Sequence, residues 1–181
     1  MKATELLKSQ HQDIIDLFEK LQKRGLAGER GLFDELASML VAHAAIEREI
    51  FYPACEKELG ESQELTEALV EHGVIDFSLH VAREAIGKDE FEAKIAVLRA
   101  LVVDHIEEEE ESLLPRVDAE VDEDVLEAIG EEMEERFEQA ESEDYRESLE
   151  HDLARAIGSI ARDKTNGQAK RRGRPRARAG A

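Results

Sequence analysis

The chain has 181 residues, which is enough for one domain of ordinary size and a tail. It has no Trp, two Tyr, six Phe and a formal net charge of −20, so its core must rest on aliphatic side chains beneath an acidic surface. A single cysteine, Cys55, excludes an intrachain disulfide, and no run of about 18 apolar residues is present that would span a membrane. Because the sequence also opens without the apolar run of a signal peptide, we expect a cytoplasmic protein with no membrane partner.

Charge divides the chain into separate parts. Residues 1–163 hold all 44 acidic residues and 17 Lys and Arg, a net −27, whereas residues 164–181 hold seven Lys and Arg and no acidic residue. We therefore assign a main helical domain to residues 1–116, an acidic helical extension to residues 117–163 and a disordered basic tail to residues 164–181.

Long stretches rich in Ala, Glu, Leu, Lys and Arg, with only three prolines, favour helix throughout. Four helical segments are expected before residue 116, with approximate bounds 4–24, 32–59, 62–87 and 89–114. Ser62 is a candidate N-cap for the third segment, and Asp89 with Glu92 has capping-box spacing at the start of the fourth. Two further helices are expected at about 122–139 and 144–161, the first so acidic that most of it should be solvated.

Each of the first four segments has an apolar stripe with heptad spacing, in which steps of four and three residues alternate. One histidine interrupts every stripe near its middle, and in the second and fourth segments a glutamate follows one turn later. The stripes of these two segments are predicted to continue to Ile50 and Ser112. The polar stripe positions are His11, His43, Glu47, His72, Asp76, His105 and Glu109.

The sequence also repeats internally. "HAAIEREIFYP" from His43 and "HIEEEEESLLP" from His105 share a histidine, a glutamate four residues on and a proline ten residues on, and they lie 62 residues apart. The first two segments thus look duplicated as the third and fourth, and short connections make sequential helices antiparallel neighbours. We predict an all-α fold: an antiparallel up-down-up-down four-helix bundle with extra C-terminal helices, in which the polar stripe residues converge at mid-height.

Burying carboxylates and imidazoles in an aliphatic core costs several kcal/mol for each unpaired ion, and the stripes carry no Lys or Arg. Residues four apart share a helix face at about 6 Å, so His43 with Glu47, and His105 with Glu109, can each present a nitrogen and an oxygen to one metal ion. Four histidines and two bridging carboxylates suit a dinuclear site. Imidazole and carboxylate without thiolate favour iron or manganese, with zinc possible.

The alternative is a set of core histidines that only form hydrogen bonds. "HVARE" from His80 shows how the same spacing arises without such a site, because His80 falls off its stripe, about 12 Å along the helix axis from His72. We interpret His80 and His151 as structural or surface residues.

The stripe pattern resembles that of the hemerythrin-like (HHE cation-binding) family. The sequence pattern of that family is H…HxxxE…H…HxxxE, and the matching segments here are His11, "HAAIE" from His43, His72 and "HIEEE" from His105. The resemblance covers roughly residues 3–116. It implies a non-haem centre of two iron ions, oxo- or hydroxo-bridged, with Glu47 and Glu109 as the bridging carboxylates. Ferritin-like proteins would instead show Glu-x-x-His, an order that is absent from these stripes.

The sequence departs from the oxygen-carrying family members at one position. They use a fifth histidine one turn after the third-helix ligand, where this chain has Asp76. Asp76 could be an oxygen ligand, an acceptor that orients a histidine, or a polar core residue bound to water. A centre with fewer ligands favours reaction with O2, peroxide or nitric oxide, or their sensing, over reversible O2 carriage. The sequence leaves open whether the protein is an enzyme or an iron-binding, iron-sensing or storage module without catalysis.

The basic tail contains "KRRGRPRAR" at residues 170–178, which resembles an AT-hook. A chain held extended by proline can follow the narrow minor groove of A/T-rich DNA, and glycine lets the backbone approach the groove closely. Arg side chains can then reach into the negative potential of the groove. Alternatives are a generic basic tail that binds any polyanion or the acidic body, and a DNA-associated structural protein whose bundle is only a scaffold. The candidate DNA-binding residues are Arg171, Arg172, Gly173, Arg174, Pro175 and Arg176.

Overall fold

The computed structural model describes residues 1–24 and 29–155 of the chain. Every regular element within these ranges is helical, which confirms the predicted all-α fold class, and none of the described helices is long and apolar enough to cross a bilayer. The elements in chain order are α1 (Ala3–Arg24), α2 (Glu29–Ile46), π1 (Glu47–Phe51), α3 (Tyr52–Leu59), α4 (Gln63–Arg83), α5 (Phe91–Glu108), π2 (Glu109–Leu113), α6 (Leu114–Glu120), α7 (Glu123–Ser142) and α8 (145–155).

The long helices α1, α2, α4 and α5 form the bundle. Helix α1 packs against α2 and α4 packs against α5, while contacts of α2 with α4 and of α1 with α5 close the ring. Leu7 at the start of α1 shares an apolar cluster with Ile46 at the end of α2, and Leu21 near the end of α1 shares another with Phe33 near the start of α2. The two helices are therefore antiparallel, as the short connection predicts.

The core consists of two apolar clusters with a polar layer between them. One cluster includes Phe18, Leu36 and Leu98, and the other includes Phe51 and Leu114. On α1, α2 and α4 the layer histidine has one cluster before it and the other after it in sequence, and His105 of α5 lies between Val102 of one cluster and Leu113 of the other. The histidine of each predicted stripe therefore lies where the two clusters meet.

A π-helical turn follows α2 and another follows α5, each at the HxxxE motif of a stripe, and the sequence did not predict either turn. The N–H of Tyr52 donates to the carbonyl of Glu47, and the N–H of Leu114 donates to the carbonyl of Glu109. Each bond reaches back five residues instead of four, and such π turns are frequent at functional sites. Each turn begins at the glutamate of a motif.

The two repeated prolines stand directly after these π turns. Pro53 lies in the first turn of α3 and Pro115 in the first turn of α6. Proline lacks an N–H and its ring collides with the carbonyl four residues earlier in an unbroken helix, so the widened turn accommodates it. The proline ten residues after each motif histidine is thus explained by the local geometry.

The π turns also shift the core register by one residue. The predicted stripes continue to Ile50 and Ser112, but Phe51 and Leu113 are buried in their place, and Ser112 is exposed. One extra residue in a turn rotates everything after it by about 100° relative to an ideal α-helix. This prediction was wrong because it assumed uninterrupted α-helical spacing.

The predicted helix caps had different outcomes. Ser62 caps α4, since its hydroxyl accepts a hydrogen bond from the N–H of Leu65 at 3.2 Å. The capping box of Asp89 and Glu92 is not formed, because α5 begins at Phe91 after Glu90, which makes no capping bond with its side chain.

Helix α7, the acidic helix expected at 122–139, packs against α1 and α2. Its carboxylates are mostly exposed, as expected, whereas Leu126 and Met133 are buried on its inner face. Gly130 lies against the backbone carbonyl of Met1, which leaves no room for a Cβ atom. Helix α8 confirms the start of the helix expected at 144–161. The end of that helix and the candidate DNA-binding residues lie outside the described residues, the latter being Arg171, Arg172, Gly173, Arg174, Pro175 and Arg176.

Candidate metal centre

Six of the predicted polar stripe residues meet in the layer between the two apolar clusters. Helices α1, α2, α4 and α5 each contribute a histidine, and the first residue of each π turn is a glutamate. None of the six is more than 4 % exposed. They are His11, His43, Glu47, His72, His105 and Glu109.

Glu47 lies between two pairs of histidines. Potential ligand atoms of His11, His43 and Glu47 lie within 4.8 Å of one another, and the same holds for Glu47, His72 and His105. Glu47 Oε1 is 3.2 Å from His43 Nε2, while Glu47 Oε2 is 3.2 Å from His72 Nε2. The two oxygens thus face different histidine pairs, and Glu47 belongs to both groups of potential ligands.

Glu109 spans the same two pairs. Its Oε2 is 3.4 Å from His11 Nε2 and 3.9 Å from His105 Nε2. Its Oε1 accepts a hydrogen bond from the Tyr52 hydroxyl at 2.8 Å. One oxygen is therefore held by a protein donor and the other faces the histidines.

Several of these facing atoms are buried and form no hydrogen bond with the described residues. They include His11 Nε2, His43 Nε2, both oxygens of Glu47 and Glu109 Oε2. An unsatisfied buried polar group costs about 1–3 kcal/mol, and the unpartnered atoms converge from different helices. Lone pairs on imidazole nitrogens and carboxylate oxygens that converge in this way fit metal ions of the iron, manganese or zinc type.

Charges in the layer favour the ligating form of two central residues. Burial alone would raise the pKa of Glu47, but its charge interactions and hydrogen bonds with His43 and His72 outweigh burial. The pKa of Glu47 therefore lies well below its usual value. Burial lowers the pKa of His72, which favours the neutral imidazole. Metal ligation requires both of these forms.

The other bundle histidines that face Glu109 behave differently. Burial alone would lower the pKa of His11 and of His105, but the carboxylates of Glu109 and Glu47 outweigh burial and raise both pKa values. Protons thus compete with a metal ion at these two histidines.

Three of the four histidines have an outer partner that sequence analysis missed. The Nδ1–H of His43 donates to Gln10 Oε1 at 2.8 Å, that of His11 to Glu110 at 2.8 Å and that of His105 to Glu71 at 2.9 Å. Such partners fix the tautomer and direct Nε2 towards a metal ion. Each partner is next in sequence to a centre residue on its own helix but serves a histidine on another helix, and this adjacency is the signal that could have found them.

The family model of the hemerythrin HHE cation binding domain matches residues 2–117. The chain belongs to this family. A solved structure of a hemerythrin HHE cation binding domain-containing protein from Mycobacterium kansasii is similar to the chain, with a TM-score of 0.73 and 25% identity, over 84% of this chain and 99% of that chain. No curated protein matches the chain. The family resemblance predicted from the sequence is confirmed.

Asp76 stands where the sequence of this chain departs from that of the oxygen carriers. It belongs to neither of the two groups of potential ligand atoms around Glu47. Its Oδ2 accepts a hydrogen bond from Arg48 Nη1 at 2.7 Å, and Arg48 Nη2 donates to Asp152 of α8 at 2.7 Å. Arg48 follows Glu47 directly, within π1. The structure thus brings Asp76 together with Arg48 and α8, and ligation by Asp76 stays a prediction.

Tyr52 is a further residue of the centre that the stripes did not reveal. Its hydroxyl donates to Glu109 and lies 3.2 Å from His72 Nε2. Burial, followed by the charges of Glu47 and Glu109, raises the pKa of Tyr52 well above its usual value, so the phenol keeps its proton. Its position just before Pro53, after the π turn, places it in the layer one turn beyond Glu47.

A small cavity adjoins the histidines of this HHE domain. Its volume is about 20 Å³, and imidazoles of His43, His72 and His105 form one side of it. Aliphatic side chains form the rest, namely Ile14, Leu40, Ala44, Ile75, Val102 and Ile106. A single water needs about 10–15 Å³ of such space, so the cavity admits only a molecule about as small as water.

Proposed function

We propose that the bundle holds a non-haem centre of two iron ions that senses or reacts with O2, peroxide or nitric oxide. The observation that carries this proposal is the set of buried, unpartnered oxygen and nitrogen atoms around Glu47. In the proposed assignment His11 and His43 hold one ion, His72 and His105 hold the other, and Glu47 and Glu109 bridge them. Iron with nitrogen and oxygen ligands supplies redox chemistry towards small oxidants and nitric oxide.

The residues of the chain position and protect such a centre. Gln10, Glu71 and Glu110 each hold the Nδ1 proton of a histidine, so that its Nε2 carries a lone pair that could bind a metal ion. Tyr52 keeps its proton and donates it in a hydrogen bond to Glu109, which holds this carboxylate in one orientation. The two apolar clusters cover the layer from both ends of the bundle.

The size of the cavity beside His43, His72 and His105 supports a very small ligand. A volume of about 20 Å³ with mostly aliphatic walls suits a molecule of two heavy atoms and is too small for a metabolite. O2, nitric oxide and peroxide meet this limit, so they are the proposed partners.

Sensing is favoured over simple storage by one contact. Arg48 joins Asp76 of α4 and Asp152 of α8, and it is the neighbour of the bridging residue Glu47. A shift at Glu47 would therefore act on the helix that leads towards the basic tail. We further propose that Arg172 and Arg174 in that tail tether the protein to A/T-rich DNA, a proposal supported by sequence alone.

Iron-loaded protein tests the proposed function directly. Chain reconstituted anaerobically with Fe²⁺ should change its near-ultraviolet absorption on addition of O2, peroxide or nitric oxide, and Glu47→Ala should show no such change. Repeated additions distinguish an enzyme, which turns over many equivalents of peroxide or nitric oxide, from a sensor, which responds once. An iron-loaded chain that is inert to all three ligands contradicts the proposal.

A bundle that serves only as a scaffold makes a different prediction, because it would bind no metal ion. Glu107→Gln is a suitable control variant, since Glu107 is exposed on α5 and is not a centre residue. It should load iron like the unchanged chain.

A further inference from the structure

A cavity of about 440 Å³ lies at the surface between α4 and the segment formed by α5 and π2. No Lys or Arg lines it among the residues that the structure describes, and of its carboxylates Arg116 approaches that of Glu64, at 3.8 Å. We call this cavity the acidic vestibule. Its carboxylates belong to Glu64, Glu67, Glu71, Glu108, Glu109 and Glu111.

The inner wall of the acidic vestibule consists of residues of the metal centre. His105 and Glu109 line it, although each is at most 4 % exposed. Glu109 Oε2 has no hydrogen-bond partner among the described residues. Glu71 lines the same cavity and accepts the hydrogen bond from His105 Nδ1 at 2.9 Å. The vestibule thus brings solvent up to two residues of the centre, His105 and Glu109, that are otherwise buried.

The size of the vestibule fits a hydrated cation. A water needs about 10–15 Å³ of such space, so six waters need roughly 60–90 Å³, and a divalent ion with its first hydration shell enters a space of about 440 Å³ without losing water. The small cavity of about 20 Å³ beside the histidines cannot hold such an ion. Water must therefore be exchanged for protein oxygen before the ion reaches the centre, and carboxylates are the ligands that hard divalent cations accept.

We propose that the acidic vestibule is the entry and transit site through which divalent cations reach the centre. Glu67 and Glu108 attract the hydrated ion near the surface, and Glu71 receives it beside His105 and Glu109. A cleft lined by one sign of charge raises the local concentration and association rate of an oppositely charged ligand. This inference rests on the proposed function, because it requires that the centre binds metal ions.

Two other surface cavities are poorer candidates for this route. One of about 300 Å³ is lined by Lys8, Glu107 and Glu110 among others, and one of about 390 Å³ lies between α2, α7 and α8. None of the six centre residues lines either cavity. An ion in these cavities would meet no ligand atom of the centre.

The kinetics of metal uptake test the proposal. Metal-free chain is mixed with excess Co²⁺, whose visible absorption reports binding to imidazole and carboxylate, at 0.15 M and at 0.01 M salt. The test variant is Glu67→Gln with Glu108→Gln, and the matched control is Asp104→Asn with Glu107→Gln. Both pairs remove two exposed charges, but Asp104 and Glu107 lie outside the vestibule.

The vestibule variant should take up Co²⁺ about five-fold more slowly than the unchanged chain at 0.15 M salt and about twenty-fold more slowly at 0.01 M. These values assume carboxylates about 7 Å from the entering ion, in water, with ordinary salt screening. The control pair, which lies farther from the entering ion, should slow uptake less than two-fold at 0.15 M salt and only about three- to four-fold at 0.01 M, where the Debye length is about 30 Å. The final amount of bound metal should be the same for all three chains.

Equal slowing of both pairs would mean that net charge alone attracts the ion, and it would overturn the proposal. Slowing confined to the control pair would place the entry on the other side of α5 and would also overturn it. An unchanged chain that binds no Co²⁺ contradicts the proposed function, whereas normal binding with unaffected rates contradicts only the vestibule.

A second measurement needs no variant. Hexaamminecobalt(III) is a cation that does not exchange its ligands, so it can occupy the vestibule but cannot enter the centre. It should slow Co²⁺ uptake by the unchanged chain at 0.01 M salt. Uptake that is unaffected by a hundred-fold excess of this ion contradicts a transit site in the vestibule.

Discussion

Gln10 offers the sharpest single-residue test of how the histidines are held. It is buried, and its Oε1 accepts the Nδ1–H of His43 at 2.8 Å. Leucine at this position would leave a buried N–H without a partner, at a cost of about 1–3 kcal/mol. Since about 1.4 kcal/mol corresponds to a factor of ten, Gln10→Leu should weaken metal binding by roughly ten- to a hundred-fold.

The assay for this prediction is a competition titration of metal-free chain with Co²⁺ against a chelator of known affinity. Gln12→Leu is the matched control, because Gln12 is exposed on the same helix and its side chain donates a hydrogen bond to Asp16 rather than to a centre residue. Gln10→Glu should retain tight binding, since a carboxylate also accepts the histidine proton. The reasoning is refuted if Gln10→Leu binds within three-fold of the unchanged chain, or if Gln12→Leu weakens binding equally.

Three further predictions concern the metal-free chain, measured by urea denaturation in the presence of a chelator. Tyr52→Phe removes the donor to Glu109, so it should lower the free energy of unfolding by about 1–3 kcal/mol; an unchanged value contradicts a buried hydrogen bond there. Gly130→Ala should destabilise by about 1–3 kcal/mol because its Cβ would collide with the Met1 carbonyl, whereas Gly73→Ala, at an open helical position, should be neutral or stabilising. Because the pKa values of His11 and His105 are raised above 6.5, their contribution to stability is complete below pH 6.5 and is lost as the pH rises through the folded values. The free energy of unfolding should therefore fall as the pH rises above 6.5 while metal affinity rises, and stability that increases instead would show that the directions of these pKa shifts are wrong.

The fold and the position of the centre follow from spacing along single helices. Heptad steps place His11, His43, His72 and His105 at corresponding positions of four stripes, and antiparallel neighbours must bring them into one layer. Helix spacing likewise places Glu47 and Glu109 one turn later. Apolar periodicity with one polar interruption was sufficient for these residues.

What the sequence did not reveal depends on contacts across helices or on broken periodicity. The π turns change the register after Glu47 and Glu109, so Phe51 and Leu113 became core residues instead of their predicted neighbours. On α4, Leu69 has heptad spacing to His72 and would be expected in the core, but it is 47% exposed. The repeated prolines were visible in the sequence, but their link to a π turn depends on backbone hydrogen bonds.

The outer residues of the centre were invisible for a related reason. Gln10 and Glu71 precede stripe histidines and would be expected on a neighbouring face of their own helices. Their partners are on other helices, so only the packing of α1 against α2 and of α4 against α5 brings each pair together. The pairing of Asp76 with Arg48 depends in the same way on π1, which turns Arg48 towards α4 and α8.

Native mass spectrometry of the chain from iron-replete expression, combined with thermal unfolding before and after chelation, tests the central claim most directly. The account predicts a mass increase of two iron ions for each chain. It also predicts a melting temperature about 5–10 °C higher with metal, as expected for a ligand at about a hundred times its dissociation constant. A chain that carries no metal and melts at the same temperature with and without chelator would contradict it.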